Sequence, residues 1–214
     1  MVRSPWVDEL KTVGIDVDGV IRNFHRQLLL VARITNPKLK VTENFSDYWL
    51  KDAIDLSREE LRQICHFSHP SQVFVDAPSY EDNVLFLIEL MTRVPDYEFV
   101  AITASGGYDN EHLTYKWLGK HELNFRRVIF TNGDRKAKEN IDILVDDSVA
   151  NYKAWCTERG TKKGFLLMDR PWNRDCDADR IKNLGDLLKG EYVLPGNSLD
   201  AHKLQRSYDD VFKK

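Results

Sequence analysis

The sequence predicts an α/β fold: a central parallel sheet flanked by helices, plus a mainly helical cap inserted after strand 1. Three observations carry this. Five short runs, 12–17, 99–103, 128–131, 143–145 and 164–168, are nearly continuously apolar, as strands covered on both faces are. Helical patterns follow most of them, the alternation of a parallel sheet with crossover helices. Roughly eighty residues separate the first run from the second, where a plain crossover needs only about a dozen or more.

The elements follow in order. After the first strand, residues 23–34 read as a helix. Ser57 and Glu60 form a capping box that opens a helix over 59–67. Residues 80–93 carry Leu85, Ile88, Leu90 and Met91 at helical spacing and lead the chain back to the core. Asp109 is placed to cap a helix over 111–120, and Ser148 one over 151–159 that stops at Gly160. Asp177 opens a helix running toward residue 188. The expected organisation is a discontinuous core, 1–20 and 96–190, around a cap at 21–95, with a sparsely apolar tail at 191–214. The cap is rich in aromatics, among them Phe24, Phe45, Tyr48, Trp49, Phe67 and Phe74. An insertion at the carboxyl end of strand 1 sits above the edge where α/β sheets bind ligands.

Composition narrows the function. The 214 residues are 42% hydrophobic and 30% charged, ordinary for a soluble globular chain. With 31 Lys+Arg against 34 Asp+Glu, net charge is −3. There is no basic footprint, so no stable nucleic-acid complex is expected. No run approaches a membrane span and the N-terminus lacks a signal-peptide core. Three cysteines without metal-type spacing fit a reducing cytoplasm.

The stretch Gly14–Phe24, GIDVDGVIRNF, ends the first strand with Asp16 and Asp18. Positions two apart on a strand point the same way. Gly19 permits a sharp turn, so the two carboxylates can diverge around a common ligand. Two ionised carboxylates this close are costly unless a cation or a shared proton relieves them. A second acidic pair, Asp146 and Asp147, ends another apolar run. Carboxyl ends of parallel strands share one edge of the sheet, so the pairs are expected to meet in an oxygen-only site suited to Mg²⁺. An isolated pair is more simply a solvated turn or the start of a helix; the joint placement at two strand ends is not. Thr103 and Ser105, at the end of the second strand, offer hydroxyls and exposed amides for an oxyanion, or form an ordinary turn. Lys136 and Lys138 lie upstream of the second acidic pair. Either, turned inward, would offset the negative charge.

These motifs resemble the haloacid dehalogenase superfamily of phosphohydrolases. The first is Ile15-Asp16-Val17-Asp18-Gly19-Val20, followed by Thr103, a lysine, and Asp146-Asp147. The chain is similar in particular to the 5′(3′)-deoxyribonucleotidases, whose first motif DxDGVxxxF matches through Phe24. That family's lysine stands ten residues before the acidic pair, which selects Lys136. Residues Val73-Phe74-Val75-Asp76-Ala77-Pro78 loosely match its post-cap stretch. LLMDRPWN, 166–173, resembles the DxPWN signature of bacterial and phage relatives. One departure is the strand-two motif, Thr103-Ala104-Ser105 in place of Thr-Ser-Pro. Ser105 or backbone amides alone would then supply the second phosphate contact.

The resemblance implies a Rossmann-like core and a Mg²⁺-dependent phosphomonoesterase. Asp16 would be the nucleophile and Asp18 the acid and then the base. Thr103 would bind a phosphoryl oxygen, and Lys136 would neutralise charge. The metal would be held by Asp16, the backbone carbonyl of Asp18 and Asp146, with Asp147 behind it. Phe24 would stack on a base, with Trp49 and Phe74 on the same pocket wall or simply packed in the cap core. The implied partner is a small phosphate ester, above all a nucleoside monophosphate, with a homodimer left open. Phosphatases of polynucleotide 3′ ends, sugar phosphates or phosphoprotein are the rival readings, and a catalytically silent binding module a more distant one.

Overall fold

A computed structural model describes residues 10–94, 97–104 and 111–188. The sheet is built on β1 (Lys11–Asp16), buried from Thr12 onward. It pairs in parallel with β2 (Tyr97–Thr103) on one side and β4 (Ile143–Asp146) on the other. With β3 (Val128–Phe130), β5 (Phe165–Met168) and β6 (Arg180–Ile181), the order is β3-β2-β1-β4-β5-β6, and every pairing is parallel. The strand order reverses at β1, so the crevice of an α/β sheet opens beside its carboxyl end. Alternation along the strands feeds two cores. Val13, Ile15, Ala101 and Val145 face one side, whereas Val100, Ile102 and Leu144 meet Trp155 and Phe165 on the other.

The long connection after β1 folds as a helical layer with its own core. The layer begins with α1 (Phe24–Thr35), whose cap Asn23 accepts from the Arg26 amide. Its second helix, α2 (Arg58–Gln63), starts in the Ser57/Glu60 capping box. That helix then widens into a π-turn, Ile64–Ser68, and α3 (Pro70–Phe74) opens on Pro70. Leu28, Leu29, Val31, Leu61, Val73 and Phe74 pack together there. By contrast α4 (Glu81–Arg93) lies on the sheet, with Val84, Leu87 and Leu90 in the cluster of Val13 and Ile15. Two further helices flank the sheet. Helix α5 (Glu111–Lys120) contributes Trp117 to that same core, and α6 (Val149–Arg159) is capped by Ser148 and ends at Gly160 in the left-handed conformation, φ 65°.

Two expectations are corrected. The helix read over 59–67 is α-helical only to Gln63, and Pro70 then forces a new start. The helix read from Asp177 toward 188 does not form. Residues 180–181 are β6, paired at Met168 and Ile181, and only Leu184–Leu188 turns, as a 3₁₀ helix. The reason is local. The Arg180 guanidinium donates to the carbonyls of Asn173 (2.8 Å) and Cys176 (2.7 Å), closing 173–180 into a loop. The amides of Leu167 and Asp169 then draw the following backbone into the sheet. The expected cap Asp109 and the tail lie outside the described residues. No described helix is long and apolar enough to cross a membrane.

Candidate active site

The acidic strand ends converge. Asp16 closes β1 and Asp146 closes β4, and both are buried along with Asp147. A carboxylate oxygen from each of the three lies within 4.8 Å of the others. Lys136, on a 3₁₀ turn, Gly133–Lys138, reaches into this group. Its Nζ stands 2.8 Å from Asp16 Oδ2 and 2.8 Å from Asp146 Oδ2. Lys138, two residues on, is 63% exposed and lies 3.8 Å from Glu158.

Each carboxylate is oriented by further donors. The Val17 amide donates to Asp16 Oδ1 at 2.8 Å. Asp146 accepts from the Ser148 amide at 2.8 Å and from Asn151 Nδ2 at 2.9 and 3.1 Å. Asp147 accepts from Trp172 Nε1 at 3.1 Å. Both acidic residues precede the N-terminus of α6, where a helix favours negative charge. Gly19, at φ 79°, brings its Cα against the Asp147 carboxylate so closely that no side chain fits there.

Asp18 stands apart from the triad. The loop turns through Ile21 and Arg22, whose amides both donate to the Val17 carbonyl at 3.1 and 2.8 Å. The Asp18 carboxylate is thereby carried to Arg22, which donates to it from Nε (2.7 Å) and Nη2 (2.9 Å). Thr103 ends β2 and is buried. Ser105 lies outside the described residues.

The electrostatics follow from burial and crowding. Burial raises the Asp16 carboxyl well above its ordinary value; Lys136 opposes the rise, and Asp146 and Asp147 add to it. Burial, reinforced by Asp146, pushes Asp147 up to about 8. Burial alone would lower the Lys136 ammonium, but Asp146 and Asp16 outweigh it and hold it above lysine's usual range. Three carboxylates thus share one buried ammonium, and this oxygen-only set is short of positive charge.

Above the site the helical layer presents its aromatics. Phe24 is half-buried and stacks on Phe74 at 5.5 Å and 27°. Phe74 is buried in the layer's core, whereas Trp49 is exposed and carries Arg58 over its ring at 3.8 Å. Three neighbours of the site are not legible from residue type alone: Trp172, His25 and Arg22. The Trp172 ring stacks on Phe45 (5.4 Å, 5°) and lies 4.5 Å from His25. His25 donates from Nε2 to the Tyr48 carbonyl (3.1 Å), and among the described residues its Nδ1 has no partner. Burial lowers His25 to about 4, so the ring is neutral near pH 7. Trp172 does fall in the PWN stretch, where Asn173 donates to the Asp147 carbonyl (2.9 Å) and the Met168 carbonyl (2.8 Å). That tripeptide was the available signal.

Comparison with known proteins gives a consistent picture. The model of the family described as 5′ nucleotidase, deoxy (pyrimidine), cytosolic type C protein matches residues 10–189. Among curated protein sequences none matches the chain. Similar solved structures include a haloacid-dehalogenase-superfamily hydrolase, subfamily IA, from Geobacter sulfurreducens PCA. It has a TM-score of 0.52 at 12% identity, over 84% of this chain and 95% of that one. YfnB from Bacillus subtilis, described as a hydrolase of the same superfamily and bound to magnesium, has a TM-score of 0.53 at 14% identity, over 84% and 97%. A haloacid dehalogenase-like hydrolase from Burkholderia xenovorans LB400 has a TM-score of 0.54 at 13% identity, over 86% and 98%. At such identities the likeness is one of fold.

Proposed function

Since the chain belongs to the cytosolic type C deoxy-pyrimidine 5′ nucleotidase family, and so is a nucleotidase-like phosphoric monoester hydrolase, we propose that its substrates are nucleoside monophosphates. Deoxypyrimidine forms are the leading candidates. Asp16 attacks phosphorus, the ester P–O bond breaks, and Asp18 delivers a proton to the departing oxygen. Water then attacks the aspartyl phosphate, Asp18 takes its proton, and inorganic phosphate leaves with the Asp16 carboxylate restored. Lys136 keeps the anionic nucleophile and the anionic phosphoryl group from repelling each other, and Thr103 holds a phosphoryl oxygen. The donor set fits Mg²⁺: Asp16, Asp146 and the Asp18 backbone carbonyl would hold it, with Asp147 behind. Bound there, it would supply the missing positive charge.

The observation that carries the reading is the Lys136 ammonium, 2.8 Å from both Asp16 and Asp146, inside a buried group of three carboxylates. Phe24, half-buried under Phe74, supports a base-stacking role. The test is phosphate release from nucleoside monophosphates, sugar phosphates and 3′-phosphorylated oligonucleotides with Mg²⁺. Activity on the monophosphates should vanish with EDTA and return with excess Mg²⁺. Preference for the oligonucleotides over every monophosphate would overturn the substrate assignment. Turnover indifferent to EDTA would overturn the metal assignment.

A further inference from the structure

Arg22 is 1% exposed, an unusual place for a guanidinium. A charge is buried only where its partners repay the lost hydration. Here they are specific. Nε and Nη2 hold the two oxygens of Asp18 at 2.7 and 2.9 Å, and Nη1 donates to the Phe74 carbonyl at 3.2 Å. The Phe74 and Trp117 rings lie 5.2 and 5.5 Å from the guanidinium carbon. The backbone of Arg22 sits where the chain leaves the core for the helical layer, bridged antiparallel to Ser79 on the returning segment. Two amides lock that crossing, Asn23 to the Pro78 carbonyl and Tyr80 to the Ile21 carbonyl, both at 2.8 Å.

We propose that Arg22 is a positioning residue for the Asp18 carboxylate, fixing its orientation toward the leaving group by gripping both oxygens while anchored to the Phe74 carbonyl of the helical layer. The inference rests on the acid–base role proposed for Asp18. The planar fork is what the task requires. Its donors reach two carboxylate oxygens and a carbonyl at once, which a lysine's point charge at the end of a flexible stem does not reproduce. Phe74 also stacks on Phe24. The residue that backs the proposed base-stacking ring is therefore the one whose carbonyl steadies the arginine. Occupancy of the base pocket and placement of the acid share one support.

The test separates proton delivery from folding. Phenyl phosphate and p-nitrophenyl phosphate have similar shape and no nucleobase, but phenol needs a proton to depart far more than p-nitrophenol does. In Arg22→Met, kcat/KM for phenyl phosphate should fall about tenfold or more beyond the fall for p-nitrophenyl phosphate. That lies within the roughly 10²–10⁴ a positioned acid contributes. Both esters read the same sample, so any unfolded fraction cancels in the ratio. Asp18→Asn should shift the ratio at least as far, and adding Arg22→Met to it should move the ratio no further. Should Arg22→Met fail to fold, Arg22→Lys keeps the charge and reads the same ratio. Equal losses on both esters would make Arg22 a hinge clamp and overturn the positioning role alone. A wild-type chain that hydrolyses neither the aryl esters nor nucleotides would overturn the proposed function itself.

Discussion

Replacing Lys136 with methionine removes one buried ammonium and strands two buried carboxylates, since its Nζ is 2.8 Å from both Asp16 and Asp146. Breaking a buried ion pair from one side costs about 3–5 kcal/mol, because the remaining charge stays desolvated without its partner. For a chain of this size each kcal/mol is worth roughly 2–4 °C, so melting should drop by about 6–20 °C. The methylene stem stays packed, which isolates the charge from the volume. Catalysis should fall further, by about a hundredfold or more, the loss seen when one preorganised donor is removed from a developing charge. Lys138→Ala is the matched control. Its partner Glu158 is 3.8 Å away and both side chains are largely exposed, so the change should stay within about 0.5 kcal/mol and leave turnover near wild type. Urea or thermal melts and phosphate release on both variants read the comparison. Similar losses in the two, or a larger loss in Lys138→Ala, would refute the assignment of the inward lysine.

Asp16→Asn should abolish phosphate release while circular dichroism and melting stay close to wild type, because Lys136 keeps Asp146; measurable turnover would remove Asp16 from the role of nucleophile. Phe24→Ala should lower kcat/KM for nucleoside monophosphates by about ten- to a hundredfold, the worth of one stacked base, and barely alter p-nitrophenyl phosphate hydrolysis. Equal losses would make Phe24 a packing residue against Phe74. His25 titrates near 4 when folded, against 6.5 when free, so between those values the unfolded chain binds the extra proton and acid favours unfolding. Stability owed to the neutral ring is full above pH 6.5 and lost toward pH 4, about 3 kcal/mol in all. From pH 7 to 4.5 wild type should lose roughly 2–3 kcal/mol more stability than His25→Phe in urea titrations; parallel pH profiles would sink this.

How much was legible in the sequence depended on how local the cause was. The central strands are visible because both faces are covered, which leaves runs such as 99–102 apolar without interruption. Caps at Ser57 and Ser148 are visible because each acts within one turn. The segment after Asp177 misled because a plausible cap lost to two competitors that a helical pattern does not show: Arg180, which bonds carbonyls of the preceding loop, and the edge of β5. The acidic residues could be read because strand ends share an edge. Trp172 was signalled only by its PWN setting, and Arg22 and His25 not at all, since nothing beside an arginine in the sequence says that a carbonyl 52 residues away will meet it.

The strand order β3-β2-β1-β4-β5-β6 also fixes when the molecule becomes active as it is made. Asp16 emerges early, yet its strand cannot rest beside β4 until Ile143–Asp146 has been synthesised and has found its place. Such long-range parallel pairings form slowly, because a large loop must close before any contact rewards it. A nascent chain halted before residue 146 would have its helical layer and half its sheet, but an open edge and an isolated Asp16. Phosphate release from ribosome-released fragments of increasing length should therefore begin as a step rather than a ramp. Turnover in this chain is then a direct clock for the docking of β4 beside β1.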